Sequence, residues 1–177
     1  MPSENSVYRK MQVVLEIAKS VTVNTLEQLR REIKGSKRPN FETDQYDKNR
    51  DEFVPQQSER VIRRTVAFCH ALNLIDSDGH LTKEGRQALM KARFDNVVAS
   101  QIRSFLRREG IIFSDLNKVI LEDLHSNPPV LPTSRELWET VDADISYSNF
   151  SRMLTLLVQC GGAKSSQRKI YLHISSK

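Results

Sequence analysis

Cysteine is scarce in this 177-residue chain: it has two, Cys69 and Cys160, each inside an apolar stretch of helical spacing. That placement reads as two buried thiols in a reduced compartment and excludes a disulfide framework. No cysteine and histidine fall at zinc-type spacing, and His80, His125 and His173 stand apart from one another. Cys69 and His70 are neighbours on one helix and so point about 100° apart, which builds no nucleophile and base pair. The 6 glycines are scattered without a phosphate-cradling loop, which removes nucleotide hydrolysis of the familiar kind. Glu32 and Lys34 match a nuclease Glu-x-Lys pair only superficially, since they end a helix with no strand to hold a metal-binding carboxylate. Long apolar runs are also missing. No stretch approaches the roughly 18 apolar residues of a membrane span, and Met1 to Lys10 lacks the core of a signal peptide. The chain is therefore expected to be cytoplasmic, away from membranes, without catalytic residues, cofactor or metal.

Charge points the other way, toward a partner. With 27 basic and 22 acidic residues the chain carries a formal +5 and a pI near 9.3, which favours polyanions without requiring them. Acidic residues disappear after Asp144, while Arg152, Lys164, Arg168, Lys169 and Lys177 follow it. The positive field thus concentrates at the C-terminal end.

Periodicity divides the chain into two similar series. Ser6 caps a helix to about Lys19, Val21-Thr22-Val23 is a short β-branched segment, and Asn24 or Thr25 caps a helix ending near Ile33. Residues 34–57 have many charges and little apolar periodicity, and read as a long insertion loop. A helix from Ser58 to Leu72 follows, with Ile62, Val66, Cys69 and Leu72 on one stripe. Leu74 to Leu81 forms a short hairpin, because Asp78-Gly79 supplies the positive φ such turns need. Thr82 then caps a helix to Lys91, and the spacing of Phe94, Val98, Ile102 and Phe105 predicts another to about Glu109. The second series has a helix through Leu116 to Leu124, a β segment at Val130-Leu131, and a helix from Thr133 to Val141. A turn at Asp142 to Asp144, a helix from Ser146 to Cys160 and a basic hairpin over Ala163 to Ser175 complete it. The expected organisation is a unit over residues 1–92 interrupted by the 34–57 loop, a helical linker over 93–111, and a second unit over 112–177.

Two polar surfaces stand out. In the helix from Ser146, Phe150, Met153, Leu154 and Leu157 form the core stripe and leave Tyr147, Ser148, Asn149, Ser151, Arg152 and Thr155 outside it. Asn pairs with adenine, Arg with guanine, and Ser with phosphate or base, so this face suits DNA. Beside it, Lys164, Gln167, Arg168 and Lys169 form a basic hairpin tip suited to phosphates. On the helix from Ser58, Arg60 and Arg64 point away from the core with Arg63 on the flank, and Glu59 is placed to pair with Arg63 across one turn. The alternative for each set is a solvated helix flank or turn.

This order of elements resembles the winged-helix fold. The stretch LIDSDGHLTKEGRQAL at Leu74 to Leu89 looks like the wing and following helix of bacterial and archaeal regulators with a Leu-Thr-x-x-Gly pattern, here Leu81, Thr82, Lys83, Glu84 and Gly85. The resemblance implies a mainly α protein with short β-hairpin wings, built as two tandem winged-helix domains joined by a helix. It also implies recognition helices starting at Ser58 and Ser146, and wings at Asp76 to Gly79 and Lys164 to Lys169. The first wing is acidic where the family's is usually basic. The function expected is non-catalytic binding of double-stranded DNA, as a transcription regulator or the nucleoid-associated DNA-recognition subunit of a restriction, defence or recombination complex, with other subunits as further partners. The alternatives are a winged-helix protein-interaction scaffold and the target-recognition fragment of a nuclease.

Overall fold

The computed structural model describes residues 6–111, 133–141, 144–166 and 169–172. The protein is mainly helical, with two separate two-stranded antiparallel sheets, and divides into compact units at Met1–Lys91 and Ala92–Lys177.

In the first unit, α1 (Val7–Ser20) starts where the Ser6 hydroxyl accepts from the Arg9 N–H at 3.3 Å, and it buries Met11, Val14, Leu15, Ile17 and Ala18. An extended Val21 to Val23 leads to α2 (Leu26–Gly35), capped by Thr25 and buried at Leu29 and Ile33. Next, α3 (Glu59–Ala71) is capped by Ser58 and packs on both α1 and α2 through Ile62, Val66, Phe68 and Cys69. Thr65 is also buried; its hydroxyl donates to the Val61 carbonyl at 2.9 Å, so no polar group is stranded at that position.

The stretch over 34–57, expected as a loop, is ordered. After α2 the chain makes a 3-10 turn at Pro39–Phe41 and then a hairpin, β1 (Glu42–Asp47) and β2 (Glu52–Gln57), in direct register from Glu42↔Gln57 to Asp47↔Glu52. Its base is fixed by the fully buried Phe41 and by the Ser58 N–H donating to the Phe41 carbonyl at 2.8 Å. Asp51 turns the tip with φ 53. Neither face of this hairpin is buried, so the alternation of apolar and polar residues that betrays a half-buried strand is missing from its sequence.

The hairpin expected over Leu74 to Leu81 is smaller than one of two strands: a single bridge joins Ile75 to Leu81 around the turn Asp76 to Gly79. The helix after it, α4 (Lys83–Ala88), is shorter than the expected Thr82 to Lys91. The Leu-Thr-x-x-Gly pattern has a local physical cause. The Thr82 hydroxyl donates to the Asn73 carbonyl at 2.6 Å and accepts from the Gly85 N–H at 3.0 Å, while the Thr82 N–H donates to the Leu74 carbonyl at 3.1 Å. That carbonyl oxygen lies 1.9 Å from where a Cβ on Gly85 would stand. The threonine and glycine thus clamp α4 onto the end of α3.

In the second unit, α5 (Phe94–Arg108) buries Phe94, Val98, Ala99, Ile102 and Leu106. Expected as a linker, it packs against the unit's last helix and so forms part of this unit's core. The expected helix at Leu116 to Leu124 and the segment at Val130-Leu131 lie outside the described residues, as do Asp142 and Ala143 of the turn. Then come α6 (Ser134–Thr140), opened by a reciprocal capping box between Thr133 and Glu136, and α7 (Tyr147–Gln159), capped by Ser146. Phe150, Met153, Leu154, Leu156 and Leu157 are buried, and the Trp138 indole N–H donates to the Ile145 carbonyl at 2.8 Å, closing the corner between the two helices. Gly161, at φ 71, and Gly162 turn the chain into β3 (Ala163–Ser166), which pairs with β4 (Lys169–Leu172).

Each unit holds one free buried thiol. Burial pushes the Cys69 thiol well up from its ordinary value, and burial with the Asp95 charge pushes that of Cys160 up to about 12.

Because the Leu74 carbonyl occupies the space of a Gly85 side chain, Gly85→Ala is expected to destabilise the first unit by about 3 kcal/mol or more. Gly35→Ala, which meets nothing within 4 Å, is expected to stay within about 1 kcal/mol of the parent protein. Urea unfolding of both variants checks the contrast.

Candidate nucleic-acid interface

The helix α3 buries its Ile62, Val66 and Cys69 stripe, so helical geometry turns Arg60, Arg63, Arg64, Ala67 and His70 outward, and all five are exposed. Arg60, Arg63 and Arg64 therefore lie together on one face, with the small Ala67 leaving room for close approach. Between this face and α2 lies an open cleft of about 610 Å³ lined by Glu27, Arg30, Arg31, Lys34, Glu59, Arg60, Ile62 and Arg63. Its cations outnumber its carboxylates five to two.

Some of that charge is already neutralised. Glu27 pairs with Arg30 at 3.3 Å and with Arg31 at 3.5 Å, and Lys34 is bonded to Glu59. The expected Glu59–Arg63 pair is thereby displaced. The hydrogen bond and then the charge of Lys34 hold the Glu59 carboxyl below its ordinary 4.5, slight desolvation opposes them, and Arg63 adds the smallest contribution. Arg60 and Arg64 have no ion-pair partner among the described residues. Arg30 and Arg31 of α2 are the residues that sequence reasoning missed; Lys34, with Lys37 and Arg38, was expected to join a binding surface only if DNA covered the 34–57 stretch. Their signal is readable once Leu26, Leu29 and Ile33 are taken as the core side of α2, because the cations then fall together along one side of that stripe.

The turn at Asp76 to His80 carries no basic tip. One Asp76 carboxylate oxygen accepts from the N–H of Asp78 at 3.0 Å and of His80 at 2.9 Å, and the His80 ring hydrogen-bonds through Nε2 to the Val23 carbonyl. Desolvation tends to raise the Asp76 carboxyl, but these backbone N–H groups and the His80 charge prevail and hold it below its ordinary value. His80, which the sequence leaves isolated, thus stands with Asp76 and Asp78, their ligand atoms within 4.8 Å of one another. Among the described residues this is the only group of three such side chains so close together, and Asp76 already spends one oxygen on the turn.

In the second unit, Ser148 and Asn149 are exposed near the start of α7, and Ser151 and Arg152 are half-buried on its next turn. Tyr147 is engaged elsewhere: its ring meets Trp138 edge-on at 5.8 Å, the Arg135 guanidinium sits 5.3 Å from its centroid, and its hydroxyl is 3.2 Å from the Ser134 hydroxyl. It braces the α6–α7 corner. Lys164 lies in β3 and Lys169 in β4, whereas Gln167 and Arg168 of the expected tip are outside the described residues.

Compared with known proteins, the chain matches no family model, no curated sequence and no solved structure.

The Lys34–Glu59 pair makes a pH dependence testable. Because the folded Glu59 pKa is depressed, its contribution is present above 4.5 and is lost as pH falls through the folded value. A carboxyl NMR titration is expected to place Glu59 below 4.5 in the parent protein and to return it toward that value in Lys34→Ala.

Proposed function

We propose that the chain binds double-stranded DNA without catalysis, through two winged-helix units whose recognition helices, α3 and α7, face the major groove. In the first unit the order α1, extended 21–23, α2, α3 and the Ile75–Leu81 bridge supports this reading, as does the order α6, α7, β3, β4 in the second. The observation that carries it is the exposed face of Arg60, Arg63 and Arg64, continued across the cleft by Arg30, Arg31 and Lys34. Among the described residues Arg60, Arg63 and Arg64 have no ion-pair partner, and guanidinium groups on a helix face bind phosphates and guanine edges well. Asn149 and Arg152 are the base readers proposed for α7, with Lys164, Arg168 and Lys169 holding the backbone. Transcription control, or DNA recognition within a larger restriction, defence or recombination complex, is the setting this chemistry suits.

A protein-interaction role has its own supporting observation, the exposed aromatic pair on the first unit's hairpin. The two roles do not exclude each other on one chain.

Fluorescence anisotropy with mixed-sequence duplex DNA at several salt concentrations tests the proposal. Arg60→Ala with Arg64→Ala is expected to weaken binding and to flatten the dependence of log K on log salt by about 2, because each arginine removed leaves one more phosphate to its counterion. Unchanged affinity and slope in a folded double variant would remove α3 from the interface.

A further inference from the structure

The β1–β2 hairpin is built unlike the rest of the first unit. A two-stranded hairpin with both faces in water is marginal on its own, and both its strands are edges. Strand alternation places Glu42, Asp44 and Tyr46 on one face, and the register puts Gln57, Pro55 and Phe53 opposite them on that same face. The Tyr46 and Phe53 rings lie 5.4 Å apart and are 50% and 69% exposed, and the only other large apolar side chain so exposed among the described residues is Met90. The face thus presents two rings, a proline and two carboxylates, with no cation. Over the whole hairpin five carboxylates (Glu42, Asp44, Asp47, Asp51, Glu52) face two cations, Lys48 and Arg50, and Arg50 is 3.7 Å from Asp47. Such a surface repels a polyanion and suits a cationic, partly apolar recess.

The same unit contains a recess of that kind. The α2–α3 cleft offers Arg30, Arg31, Lys34, Arg60 and Arg63 above the buried Ile62, and guanidinium groups stack favourably on aromatic faces. The hairpin does not fill its own cleft, since its rings are exposed, and six-residue strands carry the tip roughly 20 Å from its buried Phe41 base. A second copy brings an identical arm and cleft. Because the arm springs from the end of α2 and the start of α3, which also line the cleft, a two-fold axis beside them lets each copy's arm enter the other's cleft.

We propose that the acidic, aromatic β1–β2 hairpin docks into the cationic α2–α3 cleft of a second copy of this chain, forming a reciprocal dimer that competes with DNA for the cleft. The competition rests on the DNA-binding reading; the self-association does not.

Sedimentation equilibrium of the full chain at low salt tests it, with unfolding midpoints to establish that each variant is folded. The parent protein is expected to dimerise reversibly and to dissociate in high salt. Glu42→Lys with Asp44→Lys, Arg60→Glu with Arg63→Glu, and Tyr46→Ser with Phe53→Ser are each expected to raise the dimer dissociation constant by about tenfold or more, as removing close interfacial charge pairs or anchors does. Mixing the two charge-reversed proteins is expected to restore a one-to-one heterodimer. A parent protein that stays monomeric at low salt, folded variants that dimerise like it, or a mixture that recovers nothing would overturn the docking. The Tyr46→Ser, Phe53→Ser protein is expected to bind duplex DNA at least as tightly as the parent, and DNA to dissolve the parent dimer. A dimer that persists with DNA bound would overturn the competition alone, and a dimer in a protein that binds no DNA would overturn the DNA reading while leaving the docking intact.

Discussion

The orientation of α3 governs the first unit, and apolar burial sets that orientation. Ile62, Val66 and Cys69 recur at helical spacing and pack against α1 and α2. Fully burying an aliphatic side chain contributes about 1.5 to 3 kcal/mol, so the stripe together outweighs any surface ion pair in reach, which is worth about 1 kcal/mol at most. Rolling the helix by one residue would expose these side chains and press guanidinium groups into the core, at a far larger desolvation cost. The positions of Arg60, Arg63 and Arg64 follow without any attraction of their own, as does the cleft they share with α2.

Helix starts were legible because their chemistry is local. Ser6, Thr25 and Thr82 each accept from the N–H three residues on, as their sequence positions suggest. The core stripes of α3 and α7 were equally plain. Elements whose stability comes from distant partners were not. The β1–β2 hairpin hangs on Phe41 and on a bond from Ser58, and with no buried face it lacks alternation to read. The α5 helix looked like a connector because its apolar stripe says that something covers it, but not what. In the candidate interface, the α3 arginines were legible from periodicity. The contribution of α2 was hidden because Lys34 meets Glu59 across 25 residues of sequence, where a local Glu59–Arg63 pair looked sufficient.

The chain continues differently after α3 in the first unit and after α7 in the second. In the first, a turn satisfied by its own Asp76 and tied to Val23 through His80 gives way to α4 under the Thr82 and Gly85 clamp. In the second, Gly161 and Gly162 release the chain into a paired β3–β4 hairpin in a stretch free of carboxylates. An acidic turn stabilised by its own backbone is a structural brace, whereas a basic hairpin holds charge that nothing nearby neutralises in sequence.

The two buried thiols turn the domain division into something that can be timed. Cys69 sits in the core of the first unit and Cys160 at the end of α7 in the second, and burial holds both in the unreactive thiol form. An alkylating reagent therefore reacts with Cys69 when the core of the first unit opens and with Cys160 when at least the end of α7 does. Each unit carries a built-in reporter of local opening, and peptide mapping after a timed pulse tells whether the core of the first unit and the end of α7 open at the same rate.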